Sequence, residues 1–292
     1  MTKTSIPVRL TQARAPLTRE ICAVNEHGAS DRISIPAERS LTVYVDKREL
    51  VTLMTLGAAP ELLVLGYLRN QRLLRSAQDV ESITVDWDAG DGPLGEAGVA
   101  AVKTRSGIED IEAKTAQRVV TTGCGQGSVF GRLMDEIDGI ALARAELTQR
   151  ELYGITNAIR LQESTYKSAG SVHGCALFRG EEMLIFVEDV GRHNAIDTIA
   201  GWMWMHGIDS GGDKVFYTTG RLTSEMVIKA AQMGVPIVVS RSGITQMGYE
   251  LAQQLDLCTI GRATNRRFLC YSAQHRLKLQ PELARSGLDA SV

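Results

Sequence analysis

Lys214 to Ser240 reads KVFYTTGRLTSEMVIKAAQMGVPIVVS, and the reading of this stretch decides the fold. KVFYTT is the apolar, β-branched run of a buried strand, and PIVVS is a second one. Between them SEMVIKAAQMG spaces its apolar residues for a helix. Strands alternating with helices of roughly 10–15 residues predict βαβ units and a mainly parallel sheet. The pattern extends in both directions. Downstream come the helix TQMGYELAQQL and the strand CTIG; upstream come the helix ELYGITNAIRLQ, the strands SVHGCALF and MLIFVE, and a helix from about Asn194 to Met205. The expectation is an α/β domain over 147–292, with helices on both faces of its sheet.

The first half differs. Residues 1–38 carry little periodicity and are expected as an extended lead-in. LTVYVD from Leu41, the turn Lys47-Arg48-Glu49, and LVTLMTL predict a β-hairpin. APELLVLGYLRNQRLL has helical spacing, with Pro60 suited to a first turn. SITVDW and VAAVKT are strand candidates flanking a glycine-rich acidic loop, Asp88 to Gly98. Together these predict a small α+β domain over 39–120. A glycine-rich segment, Gly123 to Gly131, then leads to helical material from Leu133 to Ala145, so 121–146 reads as a loop and a linking helix.

Composition excludes several classes. The 292 residues are 44% hydrophobic and 23% charged, with a net charge of −2, ordinary for a soluble globular chain. That balance gives no reason to expect nucleic acid or an anionic membrane as partner. No signal peptide or membrane span is evident. Five scattered cysteines do not form a disulfide framework, which favours reduced thiols and a cytoplasmic site.

Ligands of such sheets bind where strands run into the following helix. The corresponding loops read EDVGRHNA, TTGRLTSE, SRSGIT and GRATNRR. Each offers glycine, hydroxyl or amide groups, and an arginine: Arg192, Arg221, Arg241 and Arg262. Guanidinium groups grip phosphates with paired hydrogen bonds, and helix N-termini present N–H groups to anions. The bland alternative is that these loops are polar because they face water. Four of the same chemistry on one rim favour an anionic pocket. No GxGxxG or Walker A pattern is present, so an ordinary nucleotide fold is disfavoured.

Cys124 sits in TTGCGQGS, between two glycines. Such a loop cannot bury its thiol in a tight apolar shell, and it can turn N–H groups toward a thiolate. Cys175, Cys258 and Cys270 lie in strand patterns and suit small buried hydrophobes. His173 in SVHGC lacks the glutamate and the PCxxC partner of a zinc deaminase, so no zinc is expected. His193, beside Arg192, suits an anion donor, an acid or a structural hydrogen bond equally. Arg266 and Arg267 are a solvated strand end or a ligand contact.

With these residues in view, the chain resembles the formate dehydrogenase accessory sulfurtransferase family, FdhD. LGYLRNQRLL, TTGCGQGS, VEDVGRHNAID, TGRLTSEMVIKAAQMGVPIVVSRSGIT and GRATNRRFLCYS carry the resemblance over roughly residues 40–275. It implies a cytidine-deaminase-like three-layer α/β/α C-terminal domain without zinc chemistry. It implies a cytoplasmic sulfurtransferase, a likeness that extends to a homodimer. The sulfur donor would be a cysteine desulfurase, the cargo bis-molybdopterin guanine dinucleotide, and the client a formate dehydrogenase. It implies persulfide chemistry at Cys124 and cofactor contact along Arg262, Ala263, Thr264, Asn265, Arg266 and Arg267; Arg192, His193, Arg221 and Arg241, read from the loops above, are the further candidates on an anion-binding rim. Two departures stand out: Gly127 replaces the second cysteine of the loop, and an FxRGDR-like stretch reads Arg262-Ala263-Thr264-Asn265-Arg266-Arg267. One thiol suffices for a relay, but release by a neighbouring thiol is lost. The alternative is a non-catalytic cofactor carrier and insertion chaperone. A metal-dependent nucleotide enzyme and a purely structural interaction protein are weaker readings.

Overall fold

In the computed structural model, residues 7–90, 97–108, 137–208 and 211–285 are described. The segment expected as an extended lead-in contains paired strands. β1 (Arg9–Leu10) edges a sheet, and β2 (Thr18–Val24) and β3 (Ser30–Pro36) form an antiparallel hairpin. No residue of β2 or β3 is buried, so no apolar alternation marks them in the sequence.

The next hairpin forms as expected, from β4 (Arg39–Val45) and β5 (Arg48–Thr55). Leu41, Val43 and Val45 alternate inward along β4. The two turn residues, Asp46 and Lys47, have φ of 48° and 71°. Such turns favour asparagine and glycine. Here the Asp46 carboxylate compensates by accepting from the Thr104 N–H (2.9 Å) and hydroxyl (2.6 Å). α1 (Pro60–Asn70) starts at its proline, and β6 (Val80–Gly90) and β7 (Ala97–Thr104) follow.

Of the helix expected over Leu133 to Ala145, the described part is a single 3-10 turn, Ile137–Gly139, followed by irregular chain. Tertiary contacts override helix propensity there. The Arg276 guanidinium donates to the Ala143 carbonyl (2.6 Å), and Gly212 leaves room for the Arg144 carbonyl, which a Cβ would approach to 1.8 Å. Then come β8 (Leu147–Thr148), α2 (Gln149–Leu161) and α3 (Thr165–Ala169). β9 (His173–Arg179), β10 (Glu182–Asp189) and α4 (Arg192–Met205) follow. The rest is β11 (Lys214–Thr218), α5 (Ser224–Gln232), β12 (Ile237–Ser240), α6 (Gln246–Gln254), β13 (Cys258–Thr264), β14 (Arg267–Ser272), β15 (Leu277–Lys278) and α7 (Glu282–Arg285).

Two compact units interleave along the chain. The first takes the described residues of Met1–Val129 with Glu163–Gly174 and Val187–Ile208. Its five-stranded sheet has the order β1-β6-β7-β4-β5, and one apolar cluster joins the sheet to α1. α1 and α4 cross at two glycines. A Cβ on Gly66 would sit 1.6 Å from the Asp197 carbonyl oxygen, and one on Gly201 2.0 Å from that of Leu62. Glycine here permits backbone contact between helices.

The second unit takes the described residues of Phe130–Gln162, Cys175–Phe186 and Asp209–Val292. Its sheet has the order β10-β9-β11-β12-β13-β14. Only the centre is parallel, β11 to β12 to β13; β9 and β14 run antiparallel to their neighbours. The expectation of a mainly parallel sheet is therefore corrected to a mixed one. β13 and β14 are joined by Asn265-Arg266 alone, too short for a parallel crossover. Leu152 and Ile155 of α2 join Val215, Tyr217, Ile237 and Val239 in one core. Among the described residues, no helix is long and apolar enough to cross a membrane.

Candidate functional site

β11, β12 and β13 are parallel neighbours, so their carboxyl ends share one edge of the second unit's sheet. The loops leaving those ends are tied together by backbone. Arg241 N–H donates to the Thr218 carbonyl (3.0 Å), Arg262 N–H to Ser242 (2.8 Å), Leu222 N–H to Gly243 (2.9 Å) and Thr245 N–H to Leu222 (3.0 Å). Hydroxyls at the strand ends complete the set. Ser240 donates to the Gly220 carbonyl (2.7 Å) and accepts from Ser242 N–H (2.9 Å). The Thr218 hydroxyl accepts from Gly220 N–H (3.0 Å). Much of the recurrent glycine and hydroxyl chemistry in these loops thus satisfies buried backbone groups.

On that scaffold Arg221, Arg241 and Arg262 are all exposed. Arg262 has a left-handed backbone, φ 51°, directly after Gly261. A Cβ on Gly261 would meet the Tyr271 ring at 2.5 Å and the Ser242 carbonyl at 2.8 Å. Only glycine lets β13 approach the neighbouring loop this closely. Behind the rim, burial pushes the Tyr217 hydroxyl up to about 12, with the Arg241 guanidinium pulling the other way.

Further along β13, Ala263 turns its methyl into the core, and Thr264 and Arg267 pair across the Asn265-Arg266 turn. Asn265 has φ 53°. Two hydroxyls of α2 hold this turn: Tyr153 donates to the Arg266 carbonyl and Thr156 to that of Asn265, each at 3.1 Å. Turn and helix enclose a cleft of about 400 Å³, to which α2 contributes Arg150, Tyr153, Thr156, Asn157 and Arg160. Arg266 also lines it, and among the described residues none that line it is acidic. Three guanidinium groups in one concave space favour an anion.

Sequence reasoning missed the α2 wall. Arg150, Tyr153, Asn157 and Arg160 are spaced by three, four and three residues, opposite the buried Gln149, Leu152 and Ile155. That stripe was the available signal, but alone it describes any solvated helix face.

Arg192 and His193 belong to the first unit, and each is only 3% exposed. They lie in the first turn of α4 rather than in an open loop. The motif around them has a packing role. The Asp189 carboxylate, itself buried, accepts from the Thr55 hydroxyl (2.5 Å), Leu56 N–H (3.1 Å), Gly191 N–H (3.1 Å) and the Asn194 amide (2.8 Å). Asn194 donates also to the Met54 carbonyl (2.7 Å), and Asp197 accepts from Asn70 (2.7 Å). Burial pushes the Asp189 carboxyl up, against hydrogen bonds that pull it down. Cys124 lies outside the described residues. Among those described, no group of three or more His, Cys, Asp and Glu is placed to hold a metal ion.

Comparison with known proteins adds a consistent set of relatives. A family model described as the FdhD/NarQ family matches residues 36–278. The sulfur carrier protein FdhD of Halalkalibacterium halodurans is 29% identical over 264 residues, covering 89% of this chain and 94% of that one. That of Bacillus subtilis is 30% identical over 243 residues, covering 82% and 89%. A crystal structure assigned as a formate dehydrogenase accessory protein from Desulfotalea psychrophila superposes with a TM-score of 0.68 at 23% identity. It covers 90% of this chain and 100% of that one.

Proposed function

This chain belongs to the FdhD/NarQ family, and on that premise we propose that it is a sulfur carrier in the maturation of a formate dehydrogenase. Cys124 is the carrying residue. As a thiolate it attacks the outer sulfur of a persulfide on a cysteine desulfurase, forming Cys124–S–SH and releasing the donor's thiolate. The second unit receives the cargo, bis-molybdopterin guanine dinucleotide, whose pyrophosphates and guanine ends meet the arginines. The observation that carries this half of the reading is the exposed set of Arg221 and Arg241 on two loops and Arg262 in β13, tied together by backbone hydrogen bonds. The cleft beside Arg266 adds three guanidinium groups of the same unit, those of Arg150, Arg160 and Arg266.

Other features of the proposal rest on coarser support. A deaminase-like three-layer arrangement fits the core shared by α2 and one face of the sheet. A reducing, cytoplasmic setting suits a persulfide-forming thiol. A second reading, cofactor carrier and insertion chaperone without sulfur transfer, is favoured by one feature, Gly127 in place of the second loop cysteine.

Guanosine diphosphate, standing in for one end of the cargo, tests the rim. Arg241→Glu and Arg262→Glu are each expected to weaken its binding at least about tenfold, since a charged hydrogen bond is worth roughly 1.5–3 kcal/mol. Raising the salt concentration should shrink the difference. Titration calorimetry on the full chain checks this; affinity unchanged from the parent chain in both variants would remove the rim from the proposal.

A further inference from the structure

Away from the rim, two thiols of the second unit face each other. Cys258 opens β13 and Cys270 lies in β14, with their sulfurs 3.9 Å apart. Both are free, Cys258 buried and Cys270 half-buried. Ile260 pairs with Cys270 and Thr259 with Ser272, which leaves Tyr271 as the extra residue of a bulge. Diagonal neighbours across antiparallel strands ordinarily stand about 7–8 Å apart. The bulge bends β14 and tightens the local twist, and here the two sulfurs touch. β14 is also an edge strand, so only one side of it is paired.

The two thiols are unequal. The hydrogen bond between them pulls the Cys270 thiol down and pushes that of Cys258 up, and burial raises Cys258 further. The charges facing Cys258 oppose each other: Arg276 lowers its thiol and Asp256 raises it. Cys270, half-buried on the edge strand, is the more accessible and the more readily ionised member, with a second thiol in contact behind it. That is the arrangement of an attacking and a resolving cysteine.

We propose that Cys258 and Cys270 form a peroxide-reactive dithiol that closes to an intramolecular disulfide at the base of the β13–β14 hairpin. The Cys270 thiolate attacks one oxygen of hydrogen peroxide. The O–O bond breaks, the departing hydroxide takes up a proton as water, and Cys270 becomes a sulfenic acid. The Cys258 sulfur then attacks that sulfur and the S–O bond breaks. Hydroxide leaves with the Cys258 proton as a second water. Two thiols lose two electrons, and the peroxide is reduced. Side-chain rotation must shorten the contact to about 2.05 Å. None of this depends on Cys124 or on a bound cofactor.

Trypsin separates the two residues, because it cuts after Arg262, Arg266, Arg267 and Arg276. The reduced full chain is treated with hydrogen peroxide, remaining thiols are capped with N-ethylmaleimide, and the digest is weighed. The expected product is Ser242–Arg262 joined to Phe268–Arg276, two hydrogens lighter and separable by dithiothreitol. It should form equally in the Cys124→Ser chain. In Cys270→Ser, loss of the Cys258 thiol should slow at least about tenfold, because the buried thiol has no attacking partner. Two separately capped peptides after peroxide treatment would overturn the proposal. So would over-oxidation of Cys270 without a cross-link, or a cross-link from either residue to Cys124.

Discussion

Cys124→Ala is expected to abolish persulfide loading and formate dehydrogenase maturation while leaving guanosine diphosphate binding unchanged. The two functions separate because they use different groups. Sulfur transfer requires a sulfur nucleophile, and alanine has none. On the proposed reading, cargo binding draws on the arginines of the second unit, whose surroundings are fixed by contacts such as Ser240 to Gly220 and Arg262 to Ser242. No other thiol in TTGCGQGS can substitute, because position 127 is glycine. Measured in cells that lack their own carrier, formate dehydrogenase activity should fall to background with the variant. Undiminished activity would reject sulfur transfer and favour the insertion chaperone.

Gly66→Ala should lower stability by about 2 kcal/mol, the reverse of the usual effect of alanine in a helix. At an uncrowded helical site the change gains about 1 kcal/mol. Here the new methyl would stand 1.6 Å from the Asp197 carbonyl oxygen and 2.7 Å from the Gly201 nitrogen. Those are backbone atoms, so the helices must separate, at roughly 3 kcal/mol for overpacking. Gly154→Ala in α2 is the control. Its methyl meets only the movable end of Glu181, and it should be neutral or mildly stabilising. Urea unfolding measures both, and an undiminished midpoint for Gly66→Ala would contradict the close crossing.

Much of this architecture was legible because packing wrote itself into period and punctuation. Leu41, Val43 and Val45 alternate; Pro60 marks a helix start; KVFYTT and PIVVS lack apolar–polar alternation, and the strands within them, β11 and β12, are buried along their whole length. What could not be read depended on partners distant in sequence. β2 and β3 bury nothing, so their pairing left no apolar trace. Local pattern names helices but not the sheets they cover, and so it places domains one after another where the units interleave. The candidate site shows the same division. Arg221 and Arg241 stand exposed after strand ends as expected and Arg262 is exposed within β13, whereas Arg192 and His193, of the same composition, are buried in the first turn of α4. Arg150 and Arg160 join the cleft only because the Asn265-Arg266 turn comes back onto α2.

As a sulfur carrier of the proposed kind, the chain would take up sulfane sulfur covalently on Cys124, between Gly123 and Gly125. Intact-mass spectrometry after incubation with a cysteine desulfurase and free cysteine reads that event directly. The account predicts a gain of one sulfur atom, mapped to Cys124 and removed by reductant. An unchanged mass, or sulfur spread over Cys22, Cys175, Cys258 and Cys270 instead, would contradict it.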